Sequence, residues 1–224
     1  MMDPKIQDAL KSAVAVFAES NELNTKAIQD DLIKVFSSNE DFLTKVDLLD
    51  TVFDDYPQME ALREVFFDLL LMNFFSADVI KLEEDYLDSP EWEQIEEDTL
   101  DRGTELLNVL LYLNECKDED IEPELEDFLK EFLLVEEDEF QDEHRIYEDI
   151  IANQILMETS IEEIAKAADN VDEESELKEL FYPIMCFFYD VQPSAELKQD
   201  IEKNSIAPDF DMAVFIILEK FNQV

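Results

Sequence analysis

A single glycine, Gly103, serves the whole chain of 224 residues. Tight β-hairpins rely on Asn-Gly, Asp-Gly or Gly-Gly pairs, because their central residues must adopt φ > 0. Phosphate-cradling loops need several glycines close together so that backbone N–H groups can approach the anion. Neither can be built from one glycine. The predicted fold class is therefore all-α, with helices joined by polar turns.

Apolar residues recur at helical spacing along nearly the full length. Asp3 can cap a first helix with Pro4 at its first position, and Ile6, Leu10, Ala13, Val14 and Phe17 then form one stripe. A second helix follows Asn24, with Ile28, Leu32, Val35 and Phe36. A third, capped by Ser38 or Asn39, carries Phe42, Val46, Leu49 and Phe53. The fourth starts at Pro57 and is apolar almost all round over residues 65–75, which predicts a central, buried element. A fifth opens at Ser76. Ser89-Pro90 starts a sixth, running from Trp92 through Leu113, which Gly103 either bends or splits.

The pattern then repeats. Pro4, Ile6, Asp8, Leu10 and Lys11 are echoed by Pro123, Leu125, Asp127, Leu129 and Lys130. Asp30-Asp31-Leu32-Ile33 is echoed by Glu148-Asp149-Ile150-Ile151, and the run from Leu62 to Phe67 by that from Leu177 to Tyr182. Ser76-Ala77-Asp78-Val79 matches Ser194-Ala195-Glu196-Leu197, and Pro90-Glu91-Trp92 matches Pro208-Asp209-Phe210. The order is the same and the offset stays between 115 and 119. These echoes predict about twelve helices in two duplicated six-helix units, residues 1–115 and 120–224, arranged as a solenoid-like stack or a pair of bundles. The tetratricopeptide pattern is absent, since its glycine position cannot be met.

Lys and Arg total 16 against 60 Asp and Glu, a net charge of −44. The 17 Phe and 6 Tyr supply enough core material to argue against disorder in spite of that charge. Phosphate backbones and anionic membrane surfaces would be repelled, so direct nucleic-acid and membrane binding are excluded as functions. Halophilic adaptation is a rival source of acidity, disfavoured because 13 Lys outnumber 3 Arg and the core is rich in Phe and Ile. Cys116 and Cys186 sit among apolar residues and read as buried thiols rather than a disulfide. The N-terminal stretch carries Asp3 and Asp8 and does not resemble a signal peptide. The longest apolar tract is broken by Asp68 and Asn73. A soluble cytoplasmic protein is the expectation.

Chemistry-bearing constellations are sparse. His144 is the only histidine and shares a stripe with Phe140, Tyr147 and Ile151, which suits a half-buried core residue better than a catalytic base. A carboxylate di-metal site would need Glu-x-x-His on two helices, but residue 141 is Gln and no second histidine exists. Residues 117–127 and 169–176 are acidic but lack the EF-hand spacing and its glycine. Asp68, inside the apolar fourth helix, reads as a structural or surface carboxylate with Arg63 or Lys81 as partner. No cofactor, no metal site and no catalytic residue is predicted; the protein is expected not to be an enzyme.

Charge distribution is the clearest functional clue. Residues 82–149 hold 28 acids and 4 bases, net −24, more than half the total in under a third of the chain. The predicted partner-binding residues are Glu83, Glu84, Asp85, Asp88, Glu91, Trp92, Glu93, Glu96, Glu97 and Asp98, followed by Glu136, Glu137, Asp138 and Glu139. Trp92, Tyr86 and Tyr147 are candidate aromatic anchors. Like charges four apart, such as Glu93 and Glu97, destabilise a helix by about 0.2–0.5 kcal/mol per pair, and solubility alone is satisfied by far less charge. The expectation is a non-catalytic interaction protein whose acids bind a basic protein, such as a nucleic-acid-binding protein or a toxin. The alternative is a helical scaffold that holds a peptide in an apolar groove. A carboxylate-metal enzyme ranks third.

Overall fold

The computed structural model describes residues 2–77, 89–132 and 144–223. Every regular element among them is helical and none is a strand. The chain divides into two compact units, Met1–Leu107 and Asn108–Val224.

In the first unit, α1 (Pro4–Ser20) begins where the Asp3 carboxylate accepts the N–H groups of Lys5 and Ile6. Its stripe of Ile6, Leu10, Ala13, Val14 and Phe17 is buried. α2 (Thr25–Phe36) is capped by Asn24. α3 (Phe42–Asp55) is capped by Asp41, not by Ser38 or Asn39. Its carboxylate accepts both the N–H and the hydroxyl of Thr44 (both 2.9 Å), and these bonds hold its pKa below the usual value. A carboxylate answers two donors at once, which a seryl hydroxyl could not do in the same geometry.

Pro57 opens a 3-10 turn, Pro57–Leu62, and the α-helix proper is α4 (Arg63–Ala77). Val65, Phe66, Phe67, Leu69, Leu70 and Met72 are all buried around its circumference, so α4 is the core of this unit, packed by α1 and α3. α5 (Pro90–Asp98) starts with Pro90 at its first position and the Ser89 hydroxyl accepting the Trp92 N–H. The expected long sixth helix is split: α6 (Leu106–Glu119) begins beyond Gly103, whose φ is +87°.

The second unit contains α6 from residue 108 onward, α7 (Leu125–Phe132), α8 (Glu148–Ala152), a 3-10 turn (Gln154–Glu158), α9 (Ile161–Asn170), α10 (Phe181–Tyr189), α11 (Ala195–Asn204) and α12 (Pro208–Asn222). α10 is its core: residues 181–188 are all buried, and α9, α12 and the 3-10 turn pack on it. Pro183 sits in the first turn of α10, where an N–H would have no intrahelical acceptor. The Tyr182 hydroxyl donates to the Ile201 carbonyl of α11 at 2.7 Å. Lys178 donates to the carbonyls of Ala168 and Val171, covering the C-terminal end of α9. Phe128 rings meet Tyr112, Tyr147 and Phe188 at 5.4–5.7 Å between centroids. Cys116 and Cys186 are buried free thiols.

Of the echoed segments, Pro90 and Pro208 each stand at the first position of a helix, α5 and α12. The Leu62 and Leu177 runs each lead into the most apolar helix of their unit, α4 and α10. Residues 78 and 79 of the Ser76 pair lie outside the described residues. No helix of the described residues is long and apolar enough to cross a membrane.

Candidate functional site

The acids predicted to bind a partner are only partly within the described residues. Glu83, Glu84, Asp85 and Asp88, with Tyr86, lie outside them, as do Glu136, Glu137, Asp138 and Glu139. The remainder stand on α5. Ile95 is its one buried residue, and Trp92, three positions earlier and half-buried, turns the same way. The indole stacks on Phe74 (6.4 Å, 15° between planes) and tilts against Phe75 (5.4 Å). Those contacts fasten α5 to α4 and turn Glu91, Glu93, Glu96, Glu97 and Asp98 outward, all exposed. Gln94 donates to Asp98. Glu91, Glu93, Glu96 and Glu97 meet no lysine or arginine among the described residues, and α5 itself contains no base. Tyr147 is no anchor: it is 0% exposed, its hydroxyl accepting the Asn108 amide at 3.0 Å.

Arginine is committed elsewhere in the same unit. Arg63 pairs with Asp50 (3.1 Å), Asp54 (2.8 Å) and Glu60 (2.8 Å), and lies 5.6 Å from the centre of the Phe53 ring. Arg102 grips Asp50 with both terminal nitrogens (3.0 Å each) and Glu64 with Nε (3.0 Å), its guanidinium 5.0 Å from the centre of the Phe67 ring. A planar fork with five donors suits this double grip; a lysine does not. Lys130 and Lys166, by contrast, meet their acids on open surface. Arg102→Ala is therefore expected to lower stability by roughly 2 kcal/mol, since half-buried carboxylates lose charge-assisted bonds. Lys166→Ala should change it by no more than about 0.5 kcal/mol. Equal shifts in urea midpoint for the two variants would contradict this arrangement.

Arg63, committed to Asp50, Asp54 and Glu60, is not the partner of Asp68, and Lys81 lies outside the described residues. The carboxyl is 0% exposed, and it accepts the Thr104 N–H (3.0 Å) and the Thr104 hydroxyl (2.5 Å). Thr104 Oγ1 in turn accepts the Leu106 N–H (3.1 Å) and so starts α6. Beside it the Gly103 N–H donates to Glu64 at 2.8 Å. Residues 102–104 thus clasp three carboxyl groups, two of them one helical turn apart on α4. Burial pushes the Asp68 pKa well above the ordinary carboxyl value, against the pull of the two Thr104 bonds. Sequence reasoning missed this clasp because positions 50, 64, 68 and 102–104 have no local pattern in common.

The second unit holds a groove that no sequence motif announced. It has a volume of about 700 Å³ and three walls: residues 122–126, residues 154–158 and residues 188–191. Glu122, Glu124, Glu126, Glu158 and Asp190 line it, and among the described residues no lysine, arginine or histidine does. Among the described residues, only Glu126 of these meets a cation, Lys130. The apolar lining includes Pro123, Met157, Tyr189 and Ile155, which is 65% exposed. The Tyr189 hydroxyl donates to the Thr159 carbonyl (3.1 Å), tying two of the walls together. A second hollow, of about 650 Å³, shares Glu122, Pro123 and Val191 with it but also contains Lys117.

Elsewhere, Asp211 is 3% exposed and bonded by the Ser205 hydroxyl; burial raises its pKa to about 6. Glu131 of α7 is pushed up to about 7 by desolvation and by its proximity to Glu115. His144 is half-buried. Among the described residues no group of three or more His, Cys, Asp or Glu side chains is placed to hold a metal ion. Compared with protein-family models, curated proteins and solved structures, the chain matches none.

Proposed function

We propose that the protein is a non-catalytic binder of a basic protein, captured through its unneutralised carboxylates. The observation that carries the reading is on α5: four exposed glutamates on nine residues, with no base within the helix and no cation among the described residues to pair with them. Such a surface accelerates encounter with a positively charged partner and pairs with its Lys and Arg side chains on docking. A nucleic-acid-binding protein or a basic toxin has the required charge. The peptide-scaffold alternative draws support from the groove of the second unit. The two units themselves we read as copies of a duplicated six-helix ancestor, each built around one thoroughly apolar helix.

The test compares two sets of charge reversals that change the net charge equally. One is Glu93→Lys, Glu96→Lys and Glu97→Lys together on α5; the other is Asp30→Lys, Glu40→Lys and Asp47→Lys together, on exposed sites of the same unit. Asp31 is left alone because it accepts the Tyr56 hydroxyl. With a lysine homopolymer as probe at low salt, the α5 set should weaken binding by roughly tenfold more than the other, partly through faster dissociation. Equal losses from both sets, at matched folding stability, would reduce the α5 acids to a solvated surface.

A further inference from the structure

We propose that the groove between residues 122–126, 154–158 and 188–191 docks a basic segment of the partner, an apolar side chain entering between lysines or arginines. This inference rests on the basic-partner reading but concerns a different surface, within the second unit alone. Two independent features of the groove point to such an occupant.

The first is charge. Glu122, Glu124, Glu158 and Asp190 stand on all three walls, and no described cation pairs with them. An occupant that brought no positive charge would leave these carboxylates partly desolvated and unpaired, which is unfavourable. One that brought lysine or arginine on both sides of its axis would answer walls that carry acid on every side. The second is the apolar lining. Ile155 is 65% exposed, on a 3-10 turn in which no residue is buried. Met157 lies two residues on and borders the same hollow. Thioether side chains adapt to irregular apolar partners. A volume of about 700 Å³ suits a short segment rather than a whole domain face.

The combination discriminates among occupants. A second copy of this chain would bring net charge −44 toward an acid-lined hollow and would be repelled. An uncharged apolar peptide would satisfy Ile155 and Met157 but not the carboxylates. A lysine homopolymer would satisfy the carboxylates but not the apolar lining. An amphipathic basic segment satisfies both.

The experiment titrates the full chain with three short synthetic peptides of equal length: a helical leucine–lysine peptide, a lysine homopolymer, and a leucine–glutamine peptide. The leucine–lysine peptide should bind most tightly. Glu124→Gln with Glu158→Gln should weaken it by roughly five- to tenfold, as expected for two exposed ion pairs. Ile155→Ser with Met157→Ser should weaken it to a similar degree while leaving the lysine homopolymer unchanged. These side chains are exposed or half-buried, so the variants are expected to fold, which circular dichroism melts would check. Leucine–lysine binding indifferent to both pairs of substitutions, yet weakened by the α5 reversals, would overturn the groove and leave the basic-partner reading standing. Failure of any basic probe to bind at low salt would overturn both. Tighter binding of the leucine–glutamine peptide would assign the groove to an uncharged partner. A dimer in sedimentation that Ile155→Ser dissolves would assign it to a second copy, and either result would overturn the proposal.

Discussion

Gly103→Ala is expected to be among the most damaging single-methyl additions the chain could receive, lowering stability by about 3 kcal/mol. Two effects combine. At φ +87° an L side chain is strained against its own backbone, typically by about 1–2 kcal/mol. The added Cβ would also lie 2.7 Å from Asp68 Oδ1 and 3.3 Å from the Phe67 ring. Asp68 cannot yield cheaply, since its two oxygens hold the Thr104 N–H and hydroxyl in a site with no access to water. For a protein of this size the melting temperature should fall by roughly 6–12 °C. A double-mutant cycle isolates the clash. In an Asp68→Ala background the methyl no longer meets the Asp68 carboxylate, so Gly103→Ala should retain only the backbone part of its cost. Strict additivity of the two substitutions, or a melting temperature for Gly103→Ala close to that of the parent, would refute the close approach.

Acidification from about pH 7.5 to about pH 5 should raise the melting temperature by at least roughly 5 °C, where many proteins change little. The sign follows from carboxyl groups whose pKa is higher in the folded than in the unfolded chain. Asp211 rises from 3.8 to about 6, and Asp68 is raised well above 3.8; burial is the main cause in both. Glu131 rises from 4.5 to about 7 through desolvation and the nearby Glu115. A folded state that binds a proton more tightly than the unfolded state gains stability as protons are added. That contribution is complete below the unfolded pKa and is lost as pH climbs through the folded one. Asp211 alone contributes on the order of 1.4 kcal/mol at pH 5, Asp68 adds to it, and partial neutralisation of the −44 charge acts in the same direction. Below about pH 4 the trend should reverse. The Asp41 cap, whose pKa its bonds to Thr44 hold below the usual value, then becomes protonated and releases its partner. The Asp211→Asn variant should show a visibly smaller rise between pH 7.5 and pH 5. A melting temperature that falls on mild acidification would show that the buried carboxyls are ionised and satisfied in the native state.

Residues near one another in sequence were the ones that could be read in advance. Asp3 with Pro4, Asn24, and Ser89 with Pro90 announce helix starts because a cap acts on N–H groups only two or three residues away. The stripes of α1, α2 and α3 announce their buried faces because one face of a helix recurs every three or four positions. The α3 cap falls on Asp41 rather than on Ser38 or Asn39: all three are competent capping residues, and hydrogen bonding to both donors of Thr44 decides among them. Pro57 opens a 3-10 turn rather than the expected α-helix, since proline at a first position suits either equally well.

With one glycine and apolar residues at helical spacing, the composition and pattern pointed by themselves to a helical chain, because tight two-residue hairpins favour glycine at φ > 0. Its charge determined that any surface partner must tolerate or seek carboxylates. The tertiary structure alone decided which carboxylates remain available. Asp50 and Glu64 are gripped by Arg102, which is remote from both in sequence, and Asp68 is sealed beneath Thr104. Glu93, Glu96 and Glu97 of α5, and Glu124 and Glu158 of the groove, face outward. The physical reason is range: capping and amphipathicity act within one or two helical turns, whereas the pairing of a charge depends on which distant segment folding brings within about 3 Å of it.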